Sequence, residues 1–476
     1  MSSVKKNYIY NVIYEVLIII VPLITSPYIS RVLGAEQVGV YTYCYSIVSY
    51  FVLFARLGII NHGSRSIAGA KTEEERNKIF SNTLTIQLFL TTLMIILYVS
   101  YFSFFDLEYH TMSVIMLTYL AAAAFDVNWF FFGVEQFKIT VTRNIIIKLI
   151  STTLLFFLVC KPSDLWKYGL ILGFSQLGGQ IAVWPYLQRY VKFVKPELKE
   201  IKPQFIAIII LFIPQIAVSL YKMMDKIMIG YYCTKSQLGF YEYASMIVNL
   251  PLGFITSLGT VMLPRISALI KDGNNKKTLE YTHYSIIFAV ALSTAFAFGL
   301  SAIAPVFIPF YFGEEFAPAS ELLIGLAITL IFLAWANVIR TQYLIPSQKD
   351  KEYIISLFCG AAVNVVINIL LIPKYQAWGA VIGTIFAEVT VCAFQTFMSR
   401  NYIPVWKYIR ECKGFIFNGF IMFVGVRLIA EIKCHVLLSF ILQIIAGAVI
   451  YCILTWLYVQ KVLRIPLIKT ILKDLK

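Results

Sequence analysis

Long apolar stretches restrict the fold of this chain more than any other feature. A membrane-spanning helix needs about 20 mostly apolar residues, and about fourteen such stretches follow one another along the 476 residues. Because lipid offers the backbone no hydrogen-bond partner, segments of this kind fold as helices. Only 14% of the residues are charged, against roughly 25% in soluble domains. The sequence therefore predicts an all-α integral membrane protein.

The predicted spans share high hydropathy over about 17–25 residues or more. They are residues 8–30, 38–62, 81–104, 109–132, 142–160, 165–188, 204–230, 238–264, 281–312, 316–343, 352–372, 375–398, 413–431 and 435–458. The longest connections between them have roughly 15 to 18 residues, which is too short for a separate soluble domain of ~50 residues.

Lysine and arginine are distributed unevenly between the predicted loops. Of the 40 residues, 28 lie in loops on the side of the N-terminus, 6 lie in loops on the other side, and 6 lie within spans. Cytoplasmic loops of membrane proteins carry this excess, so both termini are predicted to be cytoplasmic. The net charge of +15 follows from the same bias. No basic run forms a separate arm, so nucleic acid is not a predicted partner.

An internal repeat divides the chain. The stretch VGVYTYCYSIV (Val38–Val48) aligns without a gap with LGFYEYASMIV (Leu238–Val248), 200 positions later. A second match pairs the Tyr-Gly start of residues 168–173 with the Trp-Gly start of residues 378–383. The sequence therefore predicts two related halves.

The repeat implies an architecture of two six-helix lobes. Spans 1–6 form an N-terminal lobe (residues 1–203), spans 7–12 form a C-terminal lobe (residues 204–400), and residues 401–476 add spans 13 and 14 with a basic cytoplasmic tail. An even number of spans per half makes the repeats parallel, with the substrate site expected in a central cavity between them.

Basic residues within spans are the first candidates for function. Each charge near the bilayer centre costs about 2.5–3.5 kcal/mol when it faces lipid. The candidate substrate-binding cations are Arg31, Arg56, Lys148, Lys222, Lys226 and Arg427. Each can instead form an ion pair with a neighbouring helix or extend to the membrane surface. The second alternative fits Lys148 and Arg427 better, because the predicted spans place them near a surface.

Acidic residues within spans are candidates for ion coupling or gating. They are Glu15, Asp126, Asp225 and Glu388. Asp225 shares one helical face with Lys222 and Lys226, at spacings of three and four. Buried carboxylates of this kind serve in proton or cation relays, although a single hydrogen bond to a neighbouring helix explains the isolated ones equally well. Pro22 and Pro27 each remove a backbone donor from span 1, which provides either a hinge or a static kink.

No pattern in the sequence indicates a metal site, a bound cofactor or catalysis. The eight cysteines contain no CxxC pair, and the four histidines have no ligand spacing. There is neither a phosphate-binding GxxxxGK[ST] loop nor a nucleophile elbow. Tyrosine clusters such as Tyr41, Tyr43 and Tyr45 favour an interfacial aromatic belt, with stacking on sugar rings as the alternative.

Several ordered stretches together resemble the polysaccharide repeat-unit flippases of the multidrug/oligosaccharidyl-lipid/polysaccharide exporter superfamily. They are PYISRVLGAEQVGVYTY, FDVNWFFFGVEQFKITVTRNIIIK, MMDKIMIGYY and IPKYQAWGAVIGTIFAE. The resemblance runs from span 1 through span 12. One departure is Phe132, near which the family commonly has a polar residue.

The resemblance implies a function in surface polysaccharide assembly. A protein of this family moves an undecaprenyl-diphosphate-linked oligosaccharide from the cytoplasmic to the outer leaflet of the bacterial inner membrane, for O-antigen, capsule or exopolysaccharide. It works by alternating access driven by a proton or sodium gradient. Its partners are membrane lipids, a polysaccharide polymerase and a chain-length regulator. The resemblance makes Arg31 and Arg56 cavity cations, with Asp225 and its neighbouring lysines as the counterpart in the second lobe.

Three other classes remain open from the sequence. A cation-coupled multidrug exporter of the same superfamily should have an apolar and acidic cavity. A membrane-embedded glycosyltransferase or polymerase should have a catalytic carboxylate set and a large outer loop. A purely structural assembly subunit would need no titratable residues within its spans.

Overall fold

The chain folds into helices throughout the part that the structure describes. The computed structural model covers the backbone of residues 2–105, 108–432 and 435–464, and the side chains in these ranges except at residues 2–15, 105, 198, 214, 217, 218 and 220–222. Two compact units are present, Met1–Gly239 and Phe240–Lys476. The first unit includes the helix of predicted span 7, whereas the sequence repeat places that span in the second half. The six-plus-six division remains a prediction.

The helices of the first unit pack around one long helix. They are α1 (Ser2–Arg56), α2 (Ile59–Gly69), α3 (Glu73–Phe105), α4 (His110–Ala124), α5 (Asn128–Gly133), α6 (Phe137–Leu158), α7 (Leu165–Ile181), α8 (Trp184–Leu187) and α9 (Leu198–Tyr232). Helix α1 packs against α3, α4, α6 and α9, while α4 packs against α7 and α2 against α5. Helix α10 (Lys235–Lys271) crosses the boundary between the units.

The second unit is built around α11. Its helices are α11 (Asn275–Phe312), α12 (Ala319–Ala327), α13 (Thr329–Ile339), α14 (Asp350–Tyr375), α15 (Ala377–Ser399), α16 (Val405–Ala430) and α17 (Val436–Leu457). Helix α11 packs against α12, α13, α16 and α17, and α14 pairs with α15. The predicted spans 13 and 14, which are α16 and α17, therefore lie within this unit.

The prediction of an all-α membrane protein is confirmed. Among the described residues, 11 helical segments are long and apolar enough to cross a membrane. The first of them, Val16–Gly69, contains most of predicted span 1 and all of predicted span 2. Helices α7 and α9 correspond to predicted spans 6 and 7. Large apolar side chains such as Phe89, Phe157 and Trp406 are exposed. A surface of this kind is typical of contact with lipid.

Several predicted boundaries differ from the observed helices. The second predicted span runs to residue 62, but α1 ends at Arg56, and α2 begins after Leu57 (φ 38°) and Gly58. Predicted span 4 is interrupted at residues 125–127, between α4 and α5. Hydropathy does not detect such breaks because two or three linking residues barely change the mean hydropathy of a window of about 19 residues.

The backbone of α1 is kinked at a glycine. Gly34 has φ 75° and ψ 171°, which are non-helical and disfavoured for residues with a Cβ. Pro22 and Pro27 both lie in the helical stretch before it. Arg31 NH1 donates to the carbonyl oxygen of Pro27 (2.9 Å). The kink at Gly34 therefore lies between the first two predicted spans, and the helix continues through both prolines.

The core of the first unit is strongly aromatic. Phe80, Trp129, Phe130 and Phe131 are fully buried with aliphatic residues of α2, α3, α8 and α9. The rings of Phe80 and Trp129 stack with centroids 5.4 Å apart. Aromatic pairs of this kind stabilise a core beyond the area that they bury. This core holds α2 and α5 together beside the break in span 4.

Candidate functional site

Arg56 and Asp126 form an ion pair within the first unit. Arg56 NH2 lies 3.1 Å from Asp126 Oδ2, with 26% of the arginine side chain and 6% of the aspartate side chain exposed. The other oxygen, Oδ1, accepts from the backbone N–H (3.1 Å) and the side-chain Nδ2 (2.8 Å) of Asn128. Both oxygens of this carboxylate are therefore occupied. Such contacts offset the cost of burying a carboxylate.

The ion pair continues into a second arginine. Asn128 Nδ2 donates to Gln180 Oε1 (3.1 Å), and Arg143 donates to both residues, through NH2 to Asn128 Oδ1 (3.1 Å) and through NH1 to Gln180 Oε1 (3.2 Å). Arg143 NH1 also donates to the carbonyl oxygen of Gly179 (2.7 Å). We call Arg56, Asp126, Asn128, Arg143 and Gln180 the arginine network. It carries two positive charges and one negative charge.

The break between α4 and α5 positions Asp126. Helix α4 ends at Ala124, which leaves carbonyl groups without helical partners. Gln87, on α3, donates from Nε2 to the carbonyl oxygens of Ala123 (2.8 Å) and Asp126 (3.0 Å). Its Oε1 accepts from Trp129 Nε1 (2.9 Å). A buried glutamine thus satisfies the broken helix end and fixes the backbone that carries the carboxylate.

Several members of the arginine network are not among the site residues predicted from the sequence. Asn128 and Gln180 carry no charge, and Arg143, the second residue of predicted span 5, is counted among the 28 cytoplasmic loop residues. The observed helix α6 begins at Phe137 and includes Arg143, which is buried. One pattern in the sequence indicates a polar helix face next to Arg143. Asn144, Lys148 and Ser151 recur at spacings of four and three, which places them on the same side of a helix.

Lys148 lies in the middle of α6. Helix α6 spans Phe137–Leu158, so Lys148 is 11 residues from its start and 10 from its end. The expectation that its side chain extends to the surface follows from predicted span 5, which starts at residue 142, and stays a prediction. Arg31, by contrast, is exposed and its guanidinium contacts the Pro27 carbonyl.

The charged face of α9 is partly described. Asp225 is buried (3% exposed) and Lys226 is half-buried, whereas the side chain of Lys222 lies outside the described set. Tyr50 on α1 donates from its hydroxyl to the carbonyl oxygen of Ser219 (3.3 Å) and lies within electrostatic range of Asp225. The carboxylate of Asp225 therefore lies beside the packing between α1 and α9.

The remaining candidates lie apart from the arginine network. Glu388 is buried in the middle of α15 (Ala377–Ser399). Arg427 lies in the last turn of α16, where its NH2 donates to the Ser301 carbonyl (3.3 Å) and its guanidinium lies 5.4 Å from the Phe423 ring centroid. The side chain of Glu15 lies outside the described residues. Of the candidate site residues predicted from the sequence, Arg56 and Asp126 are brought together within the first unit.

Comparison with known protein families determines the class of the chain. The family model "Polysaccharide biosynthesis protein" matches residues 4–270, and the model "Lipid II flippase MurJ" matches residues 140–467. Each match covers more than half of the 476 residues. The chain belongs to the polysaccharide biosynthesis protein family. The resemblance to polysaccharide flippases of the multidrug/oligosaccharidyl-lipid/polysaccharide exporter superfamily is confirmed.

Relatives of this flippase family member are named transporters. A putative O-antigen transporter of Shigella dysenteriae is 27% identical over 387 residues, which are 78% of this chain and 94% of that protein. A putative O-antigen transporter of Escherichia coli K12 is 23% identical, over 84% of this chain and 97% of that protein. The protein is thus a membrane transporter of the flippase type rather than an enzyme.

A solved structure has the same fold. The lipid II flippase MurJ, in an inward closed conformation, superposes with a TM-score of 0.77 over 95% of this chain and all of that one, at 15% sequence identity. At this identity the match establishes the flippase fold and carries no information about the substrate. The arginine network must therefore be interpreted from its own chemistry.

Proposed function

We propose that this flippase moves an undecaprenyl-diphosphate-linked oligosaccharide repeat unit from the cytoplasmic to the outer leaflet of the bacterial inner membrane. The observation that carries the proposal is the match to two O-antigen transporters over nearly their full length. The transported unit then serves assembly of a surface polysaccharide. Both termini lie in the cytoplasm, as the distribution of lysine and arginine predicts.

The charge of the arginine network supports a substrate with an anionic head. A diphosphate in hydrocarbon is prohibitively unstable without compensating cations. The network holds two arginines and one aspartate, and Arg56 remains partly accessible. An arginine fork suits phosphate oxygens because it can donate two parallel hydrogen bonds. Arg56 therefore contacts the diphosphate, while Asp126 holds its guanidinium in position.

Transport proceeds by alternating access coupled to a proton or sodium gradient. The candidates for coupling are the buried carboxylates Asp225 and Glu388 together with Glu15 and Asp126. Asp225 is buried seven residues before the end of α9, and Glu388 is buried in the middle of α15. Ionisable residues inside membrane-spanning helices often belong to proton or ion pathways. A polysaccharide polymerase and a chain-length regulator act on the flipped product as partners.

Complementation of a bacterial strain that lacks its O-antigen flippase tests the proposal. The wild-type gene should restore surface polysaccharide. Arg56→Ala and Lys222→Ala should abolish it at unchanged protein abundance in the membrane. Arg56→Lys should restore only part of the polymer, because a lysine keeps the charge but loses the fork geometry. Arg65→Ala, which changes an exposed arginine on α2, is the matched control and should behave as the wild type.

A parallel strain depleted of its lipid II flippase tests the alternative substrate. The match of residues 140–467 to the lipid II flippase family makes this comparison necessary. Rescue of growth in that strain, together with no surface polymer in the first, would assign the protein to peptidoglycan precursors and contradict the proposal.

A further inference from the structure

A groove of about 920 Å³ lies within the second unit, along α15 and α16. Its lining comes from α11, α13, α15, α16 and the connection between α15 and α16. The residues that line it are Val290, Ile331, Phe332, Trp335, Val389, Cys392, Ala393, Thr396, Phe397, Arg400, Asn401, Ile403, Pro404, Val405, Trp406, Lys407, Ile409, Cys412 and Ile416. Buried side chains such as Val290 and Trp335 form its base, and exposed ones such as Phe397 and Ile409 form its edges. The groove is therefore open along one side.

Most of the groove wall is apolar. Its polar side chains in α13 and α15 are paired within the wall: Trp335 Nε1 donates to Thr396 Oγ1 (2.9 Å), and Thr396 Oγ1 donates to the carbonyl oxygen of Cys392 (2.7 Å). Aliphatic and aromatic side chains make up most of the remaining lining. A concave apolar surface of this size takes up a hydrophobic group, and in a membrane the hydrophobic groups at hand are lipid acyl chains.

The apolar lining is about as long as one leaflet of a bilayer. On α15 it extends from Arg400 back to Val389, and on α16 it extends from Val405 to Ile416, which is 11 residues along each helix. At 1.5 Å per residue, this corresponds to about 16 Å. The hydrocarbon core of a bilayer is about 30 Å thick. The lining therefore reaches about halfway across the membrane from the connection between the two helices.

Positive charge lies at the end of the groove where α15 is joined to α16. Arg400 and Lys407 line this end, and no aspartate or glutamate is among the described lining residues. The described ion pairs include none made by Arg400, and its guanidinium lies 3.5 Å from the centroid of the Phe397 ring. Lys407 Nζ lies 3.9 Å from Glu411 Oε1, but the lysine side chain is 60% exposed, and exposed pairs of this kind contribute little. Both cations can therefore bind an anionic group.

The basic end lies on the side of the membrane that is predicted to be cytoplasmic. Arg400 and Lys407 belong to the loops that carry the excess of lysine and arginine. Trp406, 81% exposed, is of a residue type that is enriched at the membrane interface. The cytoplasmic leaflet contains anionic lipids, and basic pockets between membrane-spanning helices on that side bind their head groups. Arginine suits a phosphate group because it can donate two parallel hydrogen bonds.

We propose that this groove binds one anionic phospholipid of the cytoplasmic leaflet. The lipid phosphate contacts Arg400 and Lys407, and one acyl chain lies in the apolar part of the groove along α15 and α16. The bound lipid connects α16 to α13 and α15 and stabilises their packing. It is not transported, so the inference goes beyond the proposed function and does not depend on the identity of the transported substrate.

Native mass spectrometry of the purified full-length protein tests the charged end of the site. The probes are phosphatidylglycerol and phosphatidylcholine with identical acyl chains. The wild type should bind the first phosphatidylglycerol molecule at least about fivefold tighter than phosphatidylcholine. The double variant Arg400→Gln/Lys407→Gln should reduce this ratio to near one. Arg410→Gln/Lys413→Gln, which removes two exposed cations of α16 outside the groove lining, is the matched control and should leave the ratio unchanged.

A second pair of variants tests the apolar part of the groove. Ala393 lies in the lining and is exposed, so Ala393→Phe places a ring where the acyl chain should lie. This variant should bind phosphatidylglycerol several-fold more weakly than the wild type. Ala448→Phe adds the same ring at an exposed position of α17 outside the lining and should bind as the wild type does. Unchanged binding by Ala393→Phe would contradict the placement of the chain.

Other results would overturn the proposal. They are equal binding of the two phospholipids by the wild type and a phosphatidylglycerol preference that survives the loss of both cations. Binding of undecaprenyl phosphate that depends on Arg400, without a preference for phosphatidylglycerol over phosphatidylcholine, would assign the groove to the carrier lipid instead. Binding of glycerol 3-phosphate as tight as that of phosphatidylglycerol would exclude an acyl-chain site.

Two further measurements separate the lipid site from misfolding and from the proposed function. Thermal unfolding shows whether each variant folds, and if the double variant does not, Arg400→Gln alone should still lower the ratio. Complementation of the O-antigen flippase strain by the wild type, combined with no lipid preference, would reject the lipid site and leave the flippase assignment. A lipid preference that depends on Arg400, without complementation, would support the lipid site and reject the proposed function.

Discussion

Gly39 and Gly239 each approach the backbone of the other's helix. A Cβ placed on Gly39 would collide with the carbonyl oxygen of Lys235, and one placed on Gly239 would collide with the carbonyl oxygen of Ala35. Residues 35 and 235, like residues 39 and 239, are separated by 200 positions, and all four belong to the first unit. The sequence repeat thus has a reciprocal counterpart in the packing of two helices, where small residues allow close approach.

Alanine at either glycine should destabilise this contact. Gly39→Ala and Gly239→Ala each force two backbones apart, and overpacking of this kind costs about 1–3 kcal/mol. The two variants should lower the thermal unfolding temperature in detergent by similar amounts, because the contacts are equivalent. Gly178→Ala is the control: an added Cβ there meets no atom within 4 Å. An unfolding temperature unchanged by Gly39→Ala would show that the two helices separate without cost.

Arg56 and Asp126 should be energetically coupled in their contributions to the stability of the fold. Asp126→Asn and Arg56→Met each leave a partly buried charge without its partner, which costs about 1–3 kcal/mol or more. The double variant should lose less than the sum of the two, with a coupling energy of about 0.5–3 kcal/mol. Thermal unfolding of the wild type, the two single variants and the double variant measures this coupling energy. Arg65→Met is the control. Strict additivity would mean that the pair contributes nothing to the stability of the fold.

Asp164 should make the loop between α6 and α7 sensitive to acid. Its Oδ1 accepts from Lys167 Nζ (2.8 Å) and its Oδ2 accepts from the Cys160 N–H (3.0 Å). The hydrogen bond from Lys167, followed by that from the Cys160 backbone, lowers the pKa of Asp164 below its ordinary value of 3.8. A carboxylate with a lowered pKa stabilises the folded state above its unfolded pKa, and this stabilisation is lost as pH falls through the folded pKa.

The measurement for Asp164 compares thermal unfolding of the wild type and Asp164→Asn over a pH series. The wild type should be the more stable at pH 7 and down to about pH 5, and the difference should shrink below about pH 4. A difference that grows on acidification would contradict the direction of this pKa shift.

The buried carboxylates should couple transport to an ion gradient. In proteoliposomes that carry a lipid-linked oligosaccharide, an imposed proton or sodium gradient should accelerate flipping by the wild type. Asp225→Asn and Glu388→Gln should lose this acceleration while keeping the rate without a gradient, because an amide can neither exchange a proton nor neutralise a cation. Asp164→Asn, outside the spans, is the control. If the wild type flips the substrate at the same rate with and without each gradient, ion coupling is not part of the mechanism.

The candidate site could be predicted from the sequence only in part. Arg56 and Asp126 were singled out because charges within apolar segments are rare, but nothing in the spacing of residues 56 and 126 indicates that they meet. Arg143 was missed because it is the second residue of predicted span 5, where a basic residue is expected at the membrane surface. The observed helix α6 begins earlier, at Phe137, which places Arg143 inside the helix. Gln87, which supports the broken end of α4, carries no sequence signal.

The sequence by itself determined the class of fold, the number of spans to a close approximation and the family. Each depends on local composition or on an ordered set of short stretches, because a bilayer imposes the same length and hydropathy on every helix. The tertiary structure alone decided which polar residues share an interior. It brought Asn128, Arg143 and Gln180 together from three helices, and it placed Arg400 at one end of an apolar groove. Such contacts depend on how helices rotate and pack against one another, which a sequence read segment by segment does not specify.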